Sequence, residues 1–418
     1  MTKKKKKDKI PRDMAERNSE VNQDQGITTE DEGITTEDGR IISNESVKEI
    51  SRGGSWTPKN TKKRNIPRVT SPELVQCEPK KEWIEKPRTE TPEIIYCTWM
   101  GAGNKVSFPF IEKQVKAFNE LNIHPTVFII DDGWATKVGD WLSVDKQKFP
   151  NGLKEATKLI KENDIKPGLW LAPLHVERNS ELAKAHPDWF IESHGKPVSY
   201  WFKDTAFVKK HYLLDLRKEE AIDYLGEVAQ KIKDWGFDWV KSDFMSSLYL
   251  VKEIGQEEKQ YLTHRTMEIF KKNGLKVLAC GAPWNASIGV ADIIRISKDS
   301  GLPNLPNNIV SKLINKYFVN NYLGSIKDNI RLVGKFIKTD PDMYFSTSIF
   351  EKDKQKLKEA QFKSISRYSC LTLGDDFSKL TAKDVQPIKE LIEQFYRAQK
   401  VRPKAIKIFM AGQTDQKD

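Results

Sequence analysis

Two textures alternate between residues 94 and 373. Eight short β-like runs stand at 94–99, 126–130, 168–172, 238–242, 277–280, 293–297, 343–346 and 370–373. Most are parted by stretches whose apolar residues recur three and four apart. That period predicts helices over 110–121, 153–163, 219–235, 257–273, 308–315, 354–368 and 385–400. Leu153, Ala156, Thr157, Leu159 and Ile160 make one such face. Gly236 and Gly274 sit where a helix should stop before the next strand. The helix between the fifth and sixth runs is the weak one, because residues 283–287 leave little room for it. Runs apolar on both faces suit a parallel sheet covered by helices. Eight such units, with no glycine-rich dinucleotide loop after the first strand, predict the α/β class and a (β/α)8 TIM barrel, not a doubly wound sheet. Residues 192–211 fit neither pattern and are placed on no helix or strand; a stretch of this kind can serve as a lid over the barrel mouth.

The texture before residue 91 is different. Residues 1–90 open on a lysine run, repeat Gly-Ile-Thr-Thr-Glu-Asp at 26–31 and 33–38, and hold few aromatics. Such a segment buries too little apolar surface to offset its ordering entropy. The expectation is a disordered basic and polar tail with a linker over 1–90, a catalytic barrel over 91–400 and a C-terminal tail over 401–418.

Charge and cysteines add limits. The net charge is +11, spread along 418 residues, which reads as a solvated surface; no nucleic-acid partner is required. Cys77, Cys97, Cys280 and Cys370 are far apart and show no CxxC spacing, so free thiols in a reducing compartment are expected. The lysine run is followed by polar residues, unlike a signal peptide, and no apolar run is long enough to span a bilayer. A cytoplasmic protein that does not engage membranes is expected. The oligomeric state is left open.

Carboxylates mark the ends of the apolar runs. Residues 126–130 lead into Asp131 and Asp132, 239–241 through Ser242 into Asp243, and 292–297 into Asp299. In a parallel barrel these are the C-terminal strand ends, where active sites are built. Lys241 and Asp243 are two apart and so share one face of a strand. Either aspartate could equally cap a turn or a helix. Paired carboxylates at a barrel mouth suit glycoside hydrolysis. A zinc site is not indicated, because the six histidines form neither HxH nor HExxH, and GxSxG and GxxxxGK[ST] are absent. No cofactor and no metal are expected. A sugar also wants flat apolar faces and paired polar groups. Trp99, Trp134, Trp141, Trp170 and Trp201 lie at or near strand ends, with packing as the competing role for Trp141 and Trp170. Asp131, Asp132, Lys241 and Arg295 supply charged hydrogen-bonding groups.

Several motifs then coincide. They are Asp131-Asp132-Gly133-Trp134, Gly139-Asp140-Trp141, Phe149-Pro150-Asn151-Gly152 and Gly168-Leu169-Trp170-Leu171-Ala172-Pro173. His186-Pro187-Asp188-Trp189, Lys241-Ser242-Asp243, Cys280-Gly281-Ala282-Pro283 and Arg295-Ile296-Ser297-Lys298-Asp299 follow. Asp340-Pro341-Asp342 and Gly374-Asp375-Asp376 close the series. In this order the chain resembles the melibiase-type α-galactosidases of glycoside hydrolase clan D, family 36, and is similar to family 27. The resemblance implies a retaining double displacement on a terminal α-galactoside, with an oligosaccharide or glycoside as substrate. It makes Asp243 the nucleophile and Asp299 the acid/base. It places Asp131, Asp132, Lys241 and Arg295 on the sugar and Cys280 on the pocket wall. Asp299 must start protonated beside Arg295, so burial or the charge on Asp243 has to offset that cation. An α-N-acetylgalactosaminidase, a raffinose-type galactosyl transferase and a non-catalytic sugar- or partner-binding barrel remain the alternatives.

Overall fold

A computed structural model of the chain describes residues 34–35, 41–42, 93–204, 207–329, 337–365 and 369–400. Two compact units divide it, residues 1–68 and 69–418. In the first, Ile34–Thr35 pairs antiparallel with Ile41–Ile42, Ile34 facing Ile42. The remainder of the tail expected over 1–90, and the tail over 401–418, lie outside the described residues.

The second unit is built on one parallel sheet. Its strands are β1 (Ile94–Cys97), β2 (Val127–Ile130), β3 (Lys166–Leu171), β4 (Trp239–Ser242) and β5 (Lys276–Ala279). They continue as β6 (Ile293–Arg295), β7 (Lys338–Asp340), β8 (Met343–Tyr344) and β9 (Leu371–Leu373). Each of β1 to β6 pairs with the next, and β9 pairs with both β1 and β8. β7 and β8 are two halves of a single stave, parted by Pro341 and Asp342. The first half pairs with β6 and the second with β9. The Cys370 N–H donates to the Thr339 carbonyl at 2.9 Å and closes the ring. The barrel therefore has eight staves, as the alternation of textures predicts.

Why these runs become strands is plain from their burial. β1 is Ile-Ile-Tyr-Cys and β2 is Val-Phe-Ile-Ile, and all eight side chains are buried. Each large apolar side chain removed from water contributes about 1.5–3 kcal/mol. Gly168 in β3 is required by closeness: a Cβ there would lie 2.3 Å from Ile129 Cδ1. The helix Leu153–Glu162 buries Leu153, Ala156, Thr157 and Ile160, with Leu159 half-buried. Gly236 and Gly274 take φ of 93° and 75°, the left-handed turn that ends a helix.

Three elements differ from expectation. The seventh stave starts at Lys338, ahead of the apolar run at 343–346, because its first half buries polar side chains with partners: Thr372 Oγ1 donates to Asp340 Oδ1 at 2.8 Å. The helix expected over 308–315 runs over Ile309–Asn329. Residues 192–211, which fit neither pattern, contribute to a small antiparallel sheet of His175–Glu177, Ser199–Asp204 and Phe207–Leu213. This sheet is inserted after β3, on the C-terminal side of the barrel strands. The weak helix between β5 and β6 is a single turn, Trp284–Ser287. No helix of the described residues is long and apolar enough to cross a membrane.

Candidate active site

Asp131, Lys241 and Asp243 meet at the C-terminal ends of β2 and β4. Lys241 points inward from β4 and is buried. Its Nζ lies 2.7 Å from Asp131 Oδ2 and 3.8 Å from Asp243 Oδ2. An ammonium in a barrel interior is costly unless carboxylates compensate it. Burial alone would lower its pKa; Asp131, with Cys97 and Asp243 nearby, outweighs burial and holds the amine well above its ordinary value. Asp131 is itself clamped. Cys97 Sγ donates to its Oδ2 at 3.0 Å, and its backbone N–H donates to Thr98 Oγ1 at 2.9 Å. Asp132, half-buried, follows at the rim, and its N–H donates to Asp131 Oδ1 at 2.9 Å.

Asp243 caps β4 with a side chain only 13% exposed. Trp170 Nε1 donates to its Oδ2 at 3.0 Å, and the Phe244 N–H donates to its Oδ1 at 2.7 Å. Phe244 takes φ of 56°, a left-handed backbone on a bulky residue, which is the kind of local strain that gathers at functional sites. Burial pushes the Asp243 carboxyl up. Lys241, the Trp170 and Cys280 hydrogen bonds and Arg295 together overcome burial and hold it below its ordinary value. The result is an ionised carboxylate at neutral pH. The Cys280 thiol is pushed well up, by burial first and by Asp243 next, so it serves as a proton donor and not as a nucleophile.

The second carboxylate is reached through Cys280 and Arg295. Arg295 Nη1 donates to Cys280 Sγ at 3.5 Å, and its Nη2 donates to Asp299 Oδ1 at 2.5 Å. The Asp299 side chain is 45% exposed, far more than Asp243. The Arg295 Nη2 also lies 2.9 Å from Asp342 Oδ1, and the Ser300 N–H donates to Asp342 Oδ2 at 2.6 Å.

The predicted residues thus fall into two groups. Asp131, Lys241, Asp243, Cys280, Arg295 and Asp299 form one connected polar cluster around the strand ends. Trp99 opens a single turn after β1 and is half-buried. Trp134 and Trp141 form the second group, inside the barrel wall. They are 0% and 1% exposed, and their faces are occupied. Trp134 packs on Trp141 and Trp235 and donates to the Trp170 carbonyl at 2.8 Å, and Trp141 packs edge-on against Trp170. Both are packed beside Trp170. Trp170 and Asp342 make contacts in the cluster that sequence reasoning did not assign. Trp170 is read there as a sugar face or core packing, yet it holds the Asp243 carboxylate. Asp342 is a landmark there and in the structure is the second carboxylate on Arg295. Among the described residues no group of three or more His, Cys, Asp and Glu is gathered as for a metal ion.

A buried carboxylate and a more exposed one thus stand at the mouth of a TIM barrel, an arrangement that glycosidases use. The Melibiase family model matches residues 80–273. That segment contains Asp131, Asp132, Trp170, Lys241 and Asp243, while Arg295 and Asp299 follow its end. Among curated relatives, Alpha-galactosidase 1 of Pediococcus pentosaceus is 30% identical over 169 residues, covering 35% of this chain and 22% of that protein. Alpha-galactosidase AgaA of Geobacillus stearothermophilus is 31% identical over 136 residues, covering 30% and 17%. The matches thus span about a fifth of those relatives. The α-galactosidase TtGalA of Thermus thermophilus, solved with p-nitrophenyl α-D-galactopyranoside, aligns with a TM-score of 0.60 at 24% identity, covering 74% of this chain and 64% of that one. A GH27 β-L-arabinopyranosidase of Geobacillus stearothermophilus aligns at 0.56 and 14% identity, covering 76% and 77%. The structural likenesses establish the barrel.

Proposed function

We propose that this chain hydrolyses terminal α-galactosides of small glycosides and oligosaccharides with retention of configuration. Asp243 attacks the anomeric carbon while Asp299 gives its proton to the departing oxygen. Asp299 then takes a proton from water, which releases the sugar from Asp243. Asp131 and Asp132 bind the galactose hydroxyls at C4 and C6. Lys241 ties Asp131 to Asp243, so the group that recognises the sugar and the group that attacks it share one cation. Arg295 binds near the C2 hydroxyl.

One observation carries this reading: Asp243 is a buried carboxylate held ionised by Lys241, Trp170, Cys280 and Arg295, at a strand end inside the matched Melibiase segment. The curated relatives named as α-galactosidases support the substrate. The route from Asp243 through Cys280 and Arg295 to Asp299 supports the pairing of two carboxylates, which retention needs about 5–5.5 Å apart.

The test compares aryl α-galactosides with their C4 epimers, the α-glucosides, on wild type and on Asp243→Ala. Turnover of the galactoside alone, lost by a factor of about 10³ or more in the variant, is expected. Equal rates on both epimers would remove the galactoside assignment. A variant as fast as wild type would remove Asp243 as the nucleophile.

A further inference from the structure

We propose that Asp342 is a positioning residue for the acid step: it shares Arg295 with Asp299 and so keeps Arg295 from stripping the proton that Asp299 must deliver. The inference rests on the proposed assignment of Asp299 as acid/base.

The sequence reading leaves a chemical difficulty. Asp299 has a guanidinium at 2.5 Å, but a general acid must begin protonated. A second anion on the same guanidinium relieves this, and Asp342 supplies it. Its Oδ1 stands 2.9 Å from Arg295 Nη2, the same nitrogen that meets Asp299. Asp342 is 1% exposed, so its charge acts through little solvent. Its other oxygen accepts from the N–H of Ser300, the residue after Asp299, at 2.6 Å. Ser300 Oγ donates to the Met343 carbonyl at 2.7 Å and Ser297 Oγ to the Pro341 carbonyl at 3.0 Å. The loop that presents Asp299 is thereby fastened to the break between β7 and β8. Asp342 takes φ of 76° at that break, a conformation that aspartate tolerates better than most residues.

The charged and titratable groups facing Asp342 come from every neighbouring element. They are Arg295 on β6, Asp299 in the loop after it, Asp340 on β7 and Tyr322 on the helix Ile309–Asn329. Gln361, from the helix Glu351–Ser364, donates to the Asp342 carbonyl at 2.8 Å and to the Tyr322 hydroxyl at 3.1 Å. Burial pushes Asp342 up to about 6, against the pull of Arg295 and with the push of Asp299 and Asp340. Among the carboxylates acting on Arg295, Asp342 acts more strongly than Asp299. As pH rises through about 6, Asp342 therefore gains the charge that offsets Arg295, in the range where an acid catalyst must retain its proton.

The experiment uses Asp342→Asn in the full chain, which keeps a polar atom for Ser300 and removes the charge. Two substrates are compared across pH: a 2,4-dinitrophenyl α-galactoside, whose departure needs no proton, and an alkyl α-galactoside, whose departure does. The expected result is a basic limb of kcat/KM for the alkyl substrate displaced about one pH unit downward, so that its rate at pH 8 falls about tenfold, with the dinitrophenyl substrate changed less than about twofold. An equal fall on both substrates with the limb in place is a packing defect and overturns the proposal. In an Arg295→Gln background only the direct repulsion between Asp342 and Asp299 is left, so Asp342→Asn should move the limb clearly less; a displacement as large as in the wild-type background also overturns it. Should Asp342→Asn not fold, Arg295→Gln alone decides: its basic limb should rise, and a limb that stays or falls overturns the proposal. A wild type that turns over neither substrate removes the α-galactosidase reading itself and the inference with it.

Discussion

Lys241 is the residue on which the electrostatics of the mouth turn. Its ammonium, buried in the barrel, faces Asp131 at 2.7 Å and Asp243 at 3.8 Å. Breaking such a buried cluster from one side leaves uncompensated charge and costs about 3–5 kcal/mol. Lys241→Met is therefore expected to lower the unfolding free energy by about that amount, read from urea titration. Where it folds, it also loses one cause of the low Asp243 value. An acid whose folded value is depressed is ionised until pH falls through that value. The acid limb of kcat/KM should thus move to higher pH by about one unit in the variant; a limb that stays in place would separate Lys241 from the nucleophile. Asp131, Lys241 and Asp243 were legible in the sequence because alternation along β4 puts residues 241 and 243 on one face and a buried run before Asp131 fixes its strand end. Trp134 and Trp141 were not, since a tryptophan near a strand end reads alike whether it packs or binds. In the structure both rings are buried and touch Trp170 or Trp235.

At the scale of elements, the informative feature is the stave split into β7 and β8. Its first half is Lys-Thr-Asp, a sequence with no apolar signal, and it becomes a strand because Thr372 and the barrel backbone supply partners. The apolar period could locate Met343 and Tyr344 but not the half before them. The carboxylate pair on Arg295 depends on that break, and no local spacing reveals it, because Asp342 lies 47 positions along the chain from Arg295. The sheet made by 175–177, 199–204 and 207–213 escaped prediction for a related reason: its strands mix Lys, His, Asp and aromatics without a clean alternation. Asp375 shows how the same end of the barrel is held. It accepts from the N–H and hydroxyl of Ser346 at 2.7 and 3.0 Å, and from those of Thr347 at 3.1 and 2.8 Å. Asp375→Ala leaves those donors without their acceptor and is expected to cost about 3 kcal/mol, measured by thermal or urea unfolding. A cost under about 0.5 kcal/mol would mean that water replaces the carboxylate without loss.

The whole molecule explains why so few residues suffice. Eight staves bring the ends of β2, β3, β4, β5 and β6 to one mouth, so residues as distant as Asp131 and Asp299 reach one cluster without a long arm. The alternation of textures predicted that architecture, and the aspartates at run ends predicted which end of it to examine. The account stands or falls on Asp243 forming a covalent bond to the sugar. The direct measurement is mass spectrometry of peptic fragments after incubation with an activated fluorinated α-galactoside whose release by water is slow. A single galactosyl adduct on the fragment that contains Asp243 is predicted. An unlabelled protein that still turns over natural α-galactosides with inversion, or an adduct on another carboxylate, would contradict the account.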